Sequence, residues 1–93
     1  FYFLEAMRRA GTEMGLSPET ATALAIGTFT GASQLAQASS EPPEVLRERV
    51  TSKGGTTYAA LTSMAESGVA DAFVKAMHAA RERARELGDE FGR

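Results

Sequence analysis

The residues of this chain best suited to chemistry sit together in the segment Ser52-Lys53-Gly54-Gly55-Thr56-Thr57. Two adjacent glycines open backbone conformations that a Cβ forbids, so successive amide N–H groups can turn toward one point. Followed by a helix, such a nest lies at a positive helix terminus, where it suits a carboxylate or a phosphate. The hydroxyls of Ser52, Thr56 and Thr57 add polar contacts. The same residues also make a tight interhelical turn with Thr56 or Thr57 as the N-cap, and spacing alone leaves both readings open. A Walker A phosphate loop does not fit, because the order Gly-x-x-x-x-Gly-Lys-Ser/Thr is absent and no strand precedes the segment.

Other chemical candidates are few. The chain has no Cys, which removes disulfides, thiolate metal sites and a cysteine nucleophile. Its single His, His78, falls mid-helix beside an apolar seam and has no second His to complete a metal set. No metal site is expected. The carboxylates are scattered, with no pair spaced for acid–base work inside an apolar stretch. Met7, Met14, Met64 and Met77 fall on apolar helix faces and read as core or interface fillers.

The elements that must position the segment are all helical. Leu4, Met7, Gly11 and Met14 recur at steps of three and four over Phe1–Met14, giving one face of a first helix that stops at Gly15. Ser17-Pro18-Glu19 then supplies an N-cap hydroxyl, a proline suited to the first turn and an acid near the positive end of a second helix. That helix carries an apolar stripe of Ala21, Leu24, Ala25, Thr28, Phe29, Ala32, Leu35 and Ala36, and frays near Ser39-Ser40. Gly27 and Gly31 lie one turn apart on it, each costing about 1 kcal/mol against Ala, so close approach of another helix backbone is expected to compensate. Pro42-Pro43 starts a short third helix over Glu44–Val50. A loop over residues 51–57 follows, then a helix from Tyr58 to Ser67-Gly68 and a last one from Ala70 to Phe91. On the last helix Phe73, Met77, Ala80, Ala84, Leu87 and Phe91 step like a heptad seam. Its opposite face pairs Glu82 with Arg85 and Arg83 with Glu86. No strand-like alternation occurs, so the fold class is all-α, a bundle of about five helices.

Size and charge narrow the function. The chain has 93 residues, of which 43% are hydrophobic and 24% charged, a globular balance that fits one domain at most. The net charge of −2 divides into −2 before residue 51 and 0 after it, so neither half is a basic arm for nucleic acid or an anionic membrane. No apolar run approaches a membrane span and no secretory leader is legible, which makes the cytoplasm the expected compartment. A core this small and this rich in Ala is marginal for a monomer, and an interlocked helical homodimer is expected to bury the remainder. The chain enters its first amphipathic pattern at Phe1 without an initiating Met, and so reads as a piece of something longer.

With these features in place, the segment Val50-Thr51-Ser52-Lys53-Gly54-Gly55-Thr56-Thr57-Tyr58-Ala59-Ala60-Leu61 resembles the signature of the C-terminal domain of the pyrroline-5-carboxylate reductases. Phe3-Leu4-Glu5-Ala6-Met7, Ala10-Gly11, Gly15-Leu16, Val45-Leu46-Arg47-Glu48-Arg49-Val50, Glu66-Ser67-Gly68 and Glu82-Arg83-Ala84-Arg85-Glu86-Leu87 are similar to that family as well. The resemblance covers nearly the whole chain.

It implies a reductase that transfers hydride from NADPH or NADH to the C=N carbon of 1-pyrroline-5-carboxylate, giving L-proline. It further implies an interlaced homodimer like the C-terminal domains of 6-phosphogluconate dehydrogenases, possible higher oligomers of dimers, and a Rossmann domain that is absent from these residues. By the same resemblance, backbone N–H groups around Gly54, Gly55 and Thr56 hold the substrate carboxylate and Ser52 shapes the loop. The Thr57 hydroxyl reaches the ring nitrogen as the catalytic group. Lys53 departs from the family, many of whose members have Pro there. The competing expectation is a stand-alone helical interaction module without catalytic activity. A helical domain from another Rossmann dehydrogenase fits the Ser-Lys-Gly-Gly-Thr-Thr motif less well.

Overall fold

The computed structural model describes residues 1–91 and contains five helices and no strand among them. They are α1 (Tyr2–Glu13), α2 (Pro18–Ala38), α3 (Pro43–Arg49), α4 (Thr56–Glu66) and α5 (Val69–Phe91). The chain divides into two compact units, Phe1–Arg47 and Glu48–Arg93, each of which is best described by itself.

In the first unit α1 packs on α2. The turn between them follows from three residues. Gly15 takes a φ of 104°, a left-handed conformation that costs a residue with a Cβ about 1–2 kcal/mol. This lets the Leu16 N–H donate to the Gly11 carbonyl at 3.0 Å and the Gly15 N–H to Thr12 at 3.1 Å, the paired bonds that close a helix C-terminus. Ser17 then caps α2 as its sequence indicates. Its Oγ accepts the Thr20 N–H at 3.1 Å, and Pro18 occupies the first turn. The α1–α2 contact is tight because Gly11 faces Ala21, and Ala21 and Ala25 are the only buried apolar residues among those described.

Among the described residues, the rest of the apolar pattern is half-buried or exposed. Leu4, Met7 and Gly11 are half-buried, but Met14 lies past the end of α1 and is exposed, so it leaves the face that the spacing assigned to it. Leu24 and Leu35 on α2 are 57% and 64% exposed. Within the first unit nothing described comes within 4 Å of where a Cβ on Gly27 or Gly31 would stand, so α1 does not make the close approach expected there.

In the second unit α4 packs on α5 across the two-residue connection Ser67-Gly68, in which Gly68 takes a φ of 69°. Phe73, Met77 and Leu87 of the heptad seam are exposed, and the side chain of Phe91 lies outside the described residues. The polar face of α5 forms as its spacing indicates. Arg83 pairs with Glu86 at 3.0 Å, and Arg85 pairs with Glu82 and also with Asp89 at 3.1 Å.

Candidate functional site

The segment singled out by sequence lies between α3 and α4 in the second unit. After α3 the Thr51 N–H still donates to the Glu48 carbonyl at 3.1 Å, and a four-residue turn from Ser52 to Gly55 follows. The Gly55 N–H closes it by donating to the Ser52 carbonyl at 3.0 Å. Gly54, at the third position, has a φ of 76°, and Lys53 before it has no positive φ. This is a type II turn, in which glycine is favoured third and proline second. The second position is where Lys53 stands.

Gly55 is extended, with φ −86° and ψ −175°, and acts as the N-cap of α4. Its carbonyl accepts the Ala59 N–H at 3.1 Å, the first bond of the helix. The helix therefore begins at Thr56, two residues earlier than the apolar pattern indicates, and neither Thr56 nor Thr57 is the N-cap. A capping glycine needs no side-chain hydroxyl, which frees both threonines to enter the first turn. The space beside Gly55 is also narrow. A Cβ there would collide with Ser52 Oγ and stand 3.2 Å from the Ser52 carbonyl oxygen.

The electrostatics follow from this start. The first N–H groups of any α-helix lack intrahelical acceptors. In α2 the Ser17 hydroxyl takes one of them, whereas no side chain caps α4. The first turns of α1, α2, α3 and α5 each carry an acid, namely Glu5, Glu19, Glu44 and Asp71, but that of α4 carries none. Its amides and the positive end of its dipole are thus presented to an external acceptor. Thr57, in this turn, is half-buried, while Ser52, Gly54 and Thr56 are exposed. The Gly55 N–H is engaged inside the turn, and the N–H groups that no side chain caps are those of the helix's first residues, Thr56 and Thr57 foremost. That geometry places Ser52, Gly54, Gly55, Thr56 and Thr57 within one turn and one helix start. No group of His, Cys, Asp or Glu suited to a metal occurs among the described residues, and His78 lines a small surface hollow with Met77 and Arg81.

Residues 1–87 match the family model described as pyrroline-5-carboxylate reductase dimerisation. The chain belongs to that family. A pyrroline-5-carboxylate reductase from Pseudomonas aeruginosa is 42% identical over 92 residues, covering 99% of this chain and 34% of that protein. Pyrroline-5-carboxylate reductase 2 of Bacillus subtilis is 35% identical, covering 98% of this chain and 33% of that protein. Among solved structures, the NADP-bound pyrroline carboxylate reductase of Plasmodium falciparum superposes with a TM-score of 0.90 at 29% identity, covering 94% of this chain and 34% of that one. The chain spans about a third of the length of the curated relatives it matches. The all-helical fold and the family expected from the Ser52–Thr57 segment both stand. No described helix is long and apolar enough to cross a membrane.

Two features of this region are not legible from spacing. The acid-free first turn of α4 emerges only once the helix start is known. The contact of Ser52 with Gly55 depends on the turn type, for which the glycine pair is the available signal.

Proposed function

We propose that this chain is the C-terminal dimerisation and substrate-anchoring domain of a pyrroline-5-carboxylate reductase, which reduces 1-pyrroline-5-carboxylate to L-proline with NADPH or NADH. The observation that supports the reading is the start of α4, an acid-free helix terminus with no side-chain cap, introduced by a glycine turn. A cyclic imino acid needs its carboxylate fixed and its ring nitrogen oriented, so that the C=N carbon meets the nicotinamide at transfer distance. The amides of Thr56 and Thr57 suit the first requirement. The Thr57 hydroxyl, one residue into the helix, suits the second. A threonine hydroxyl is too weakly acidic to supply the proton, so Thr57 orients the imine by hydrogen bonding while the nitrogen's proton comes from elsewhere.

The described residues hold no strand and no Gly-rich strand-to-helix turn, the pieces that cradle a dinucleotide. The cofactor is therefore presented by another part of the enzyme, a Rossmann domain, and the chemistry of hydride donation belongs to the cofactor.

The same reading makes the chain a homodimer in the cytoplasm. Units of fewer than about 50 residues seldom bury enough apolar surface alone, and here Ala21 and Ala25 are the only buried apolar residues among those described. The exposed Leu24, Phe29, Leu35, Phe73 and Met77 need a partner surface, and the family's name and the commonness of twofold symmetry favour a second copy.

The test is a Thr57→Ala variant of the full-length enzyme assayed with pyrroline-5-carboxylate. The expected result is a fall in turnover of about 10-fold or more, in keeping with loss of a positioning contact. Unchanged kinetics would remove Thr57 from the site. Absence of any reductase activity in the unaltered full-length protein would favour the interaction module instead.

A further inference from the structure

The stretch that turns into α4 and runs along it carries a single charge. Between Arg49 and Glu66 the only charged residue is Lys53. It is exposed, and among the described residues its ammonium meets no acid and makes no hydrogen bond. Arg9, Arg83 and Arg85, by comparison, are each paired with a glutamate. A solvated lysine is ordinary in itself, so the weight falls on where this one stands.

The turn fixes that place. Gly54, at φ 76°, and the bond from the Gly55 N–H to the Ser52 carbonyl hold Lys53 at the second turn position, just ahead of the start of α4 at Thr56. Consecutive Cα atoms are about 3.8 Å apart, so the Lys53 Cα lies no more than about 11 Å from that of Thr56, and the turn brings it nearer. Lysine carries its charge on a long, flexible stem. Its ammonium therefore ranges within a Debye length, about 8–10 Å at ordinary ionic strength, of a carboxylate held on the Thr56 and Thr57 amides. The helix end is positive as well, and the first turn of α4 has no acid to offset either charge.

A cation at that range, free to move, acts as a point charge and reads net charge rather than shape. The two ends of the reaction differ in that property. With its ring nitrogen as a neutral imine, 1-pyrroline-5-carboxylate carries one negative charge. Once hydride has reached the carbon and two protons the nitrogen, the product is a zwitterion whose charges nearly cancel at a distance.

We infer that Lys53 is a specificity-determining residue that favours the anionic imino acid over its zwitterionic product at the start of α4. The inference rests on the substrate-anchoring reading given above and adds to it a residue that discriminates by charge.

The test uses the full-length enzyme at mildly alkaline pH, with kcat and KM for pyrroline-5-carboxylate and inhibition by L-proline measured at low and high salt. Lys53→Met removes the charge and keeps the length of the stem. Lys53→Pro removes the charge and suits the turn, and Lys53→Arg keeps the charge. At about 10 mM salt, Met and Pro should each raise KM about 2–5-fold with kcat unchanged, while Arg should leave KM alone. At about 1 M salt, where the Debye length falls to about 3 Å, all four proteins should share one KM. The inhibition constant for L-proline should move by less than about 2-fold throughout. An unchanged KM in Lys53→Met, a rise that persists in high salt, a wild-type KM in Lys53→Pro, or an equal rise in the L-proline constant overturns the inference while leaving the anchoring site standing. A wild-type enzyme without reductase activity overturns the anchoring reading and the inference together.

Discussion

Gly11 of α1 lies so close to Ala21 of α2 that a Cβ on Gly11 would stand 2.9 Å from the Ala21 Cβ and 3.6 Å from its Cα. This contact seats α1 on α2 where the described residues are most buried, Ala21 and Ala25 each being 3% exposed. A Gly11→Ala substitution sets two effects against each other. Helix propensity favours alanine by about 1 kcal/mol, while overpacking typically costs about 1–3 kcal/mol. The clash is with a Cβ next to backbone, which cannot rotate away, so overpacking prevails. Chemical denaturation at fixed protein concentration should show a net loss of about 1 kcal/mol. A gain in stability would mean that the helices separate without cost.

The local parts of this fold are legible in the sequence, and the reasons are local too. Ser17, Pro18 and Gly15 act through their own backbone and the next three residues, and the α2 cap and α1 stop form as their residue types indicate. The ion pairs of α5 follow from i, i+3 spacing, although the further pairing of Arg85 with Asp89 at i, i+4 is an addition made by geometry. The start of α4 is different. Apolar periodicity begins at Tyr58, but helix start is decided by the conformation of Gly55, which leaves no apolar mark. Burial is the least legible property. Leu24 and Phe73 have the pattern of core residues and are exposed, because the pattern records a surface to be covered without naming what covers it.

The Arg85 guanidinium donates to both Glu82 oxygens and holds that carboxyl below the ordinary glutamate value, while Glu82 raises Arg85. Since the folded value of Glu82 is depressed, the stabilisation is present above the ordinary carboxylate range. It is lost as pH falls through the depressed folded value. Both groups are exposed, so the contribution is small and screened by salt. An NMR titration should show Glu82 with a midpoint below that of an unpaired glutamate. Arg85→Gln should return it to the ordinary value, and an unchanged midpoint would mean that the pair does not persist in solution.

The Ser52–Gly55 turn yields two substitutions with opposite signs. Lys53 occupies the second position of a type II turn, where a φ near −60° is required, and the closing hydrogen bond uses the Gly55 N–H rather than its own. Lys53→Pro therefore removes no bond of the turn and restricts the unfolded chain, and should stabilise by about 0.4–1 kcal/mol. Gly55→Ala forces a Cβ against Ser52 Oγ and to 3.2 Å from the Ser52 carbonyl, so it should destabilise by about 1–3 kcal/mol. The hydroxyl can be removed separately. In a double-mutant cycle with Ser52→Ala, part of the Gly55→Ala cost should disappear, since the collision with Oγ is gone and only the carbonyl contact remains. Additive effects in denaturation would show that Ser52 does not lie over Gly55. In the full-length enzyme the same Gly55→Ala change should raise the KM for pyrroline-5-carboxylate, because the Thr56 and Thr57 amides are aimed by the turn that Gly55 closes.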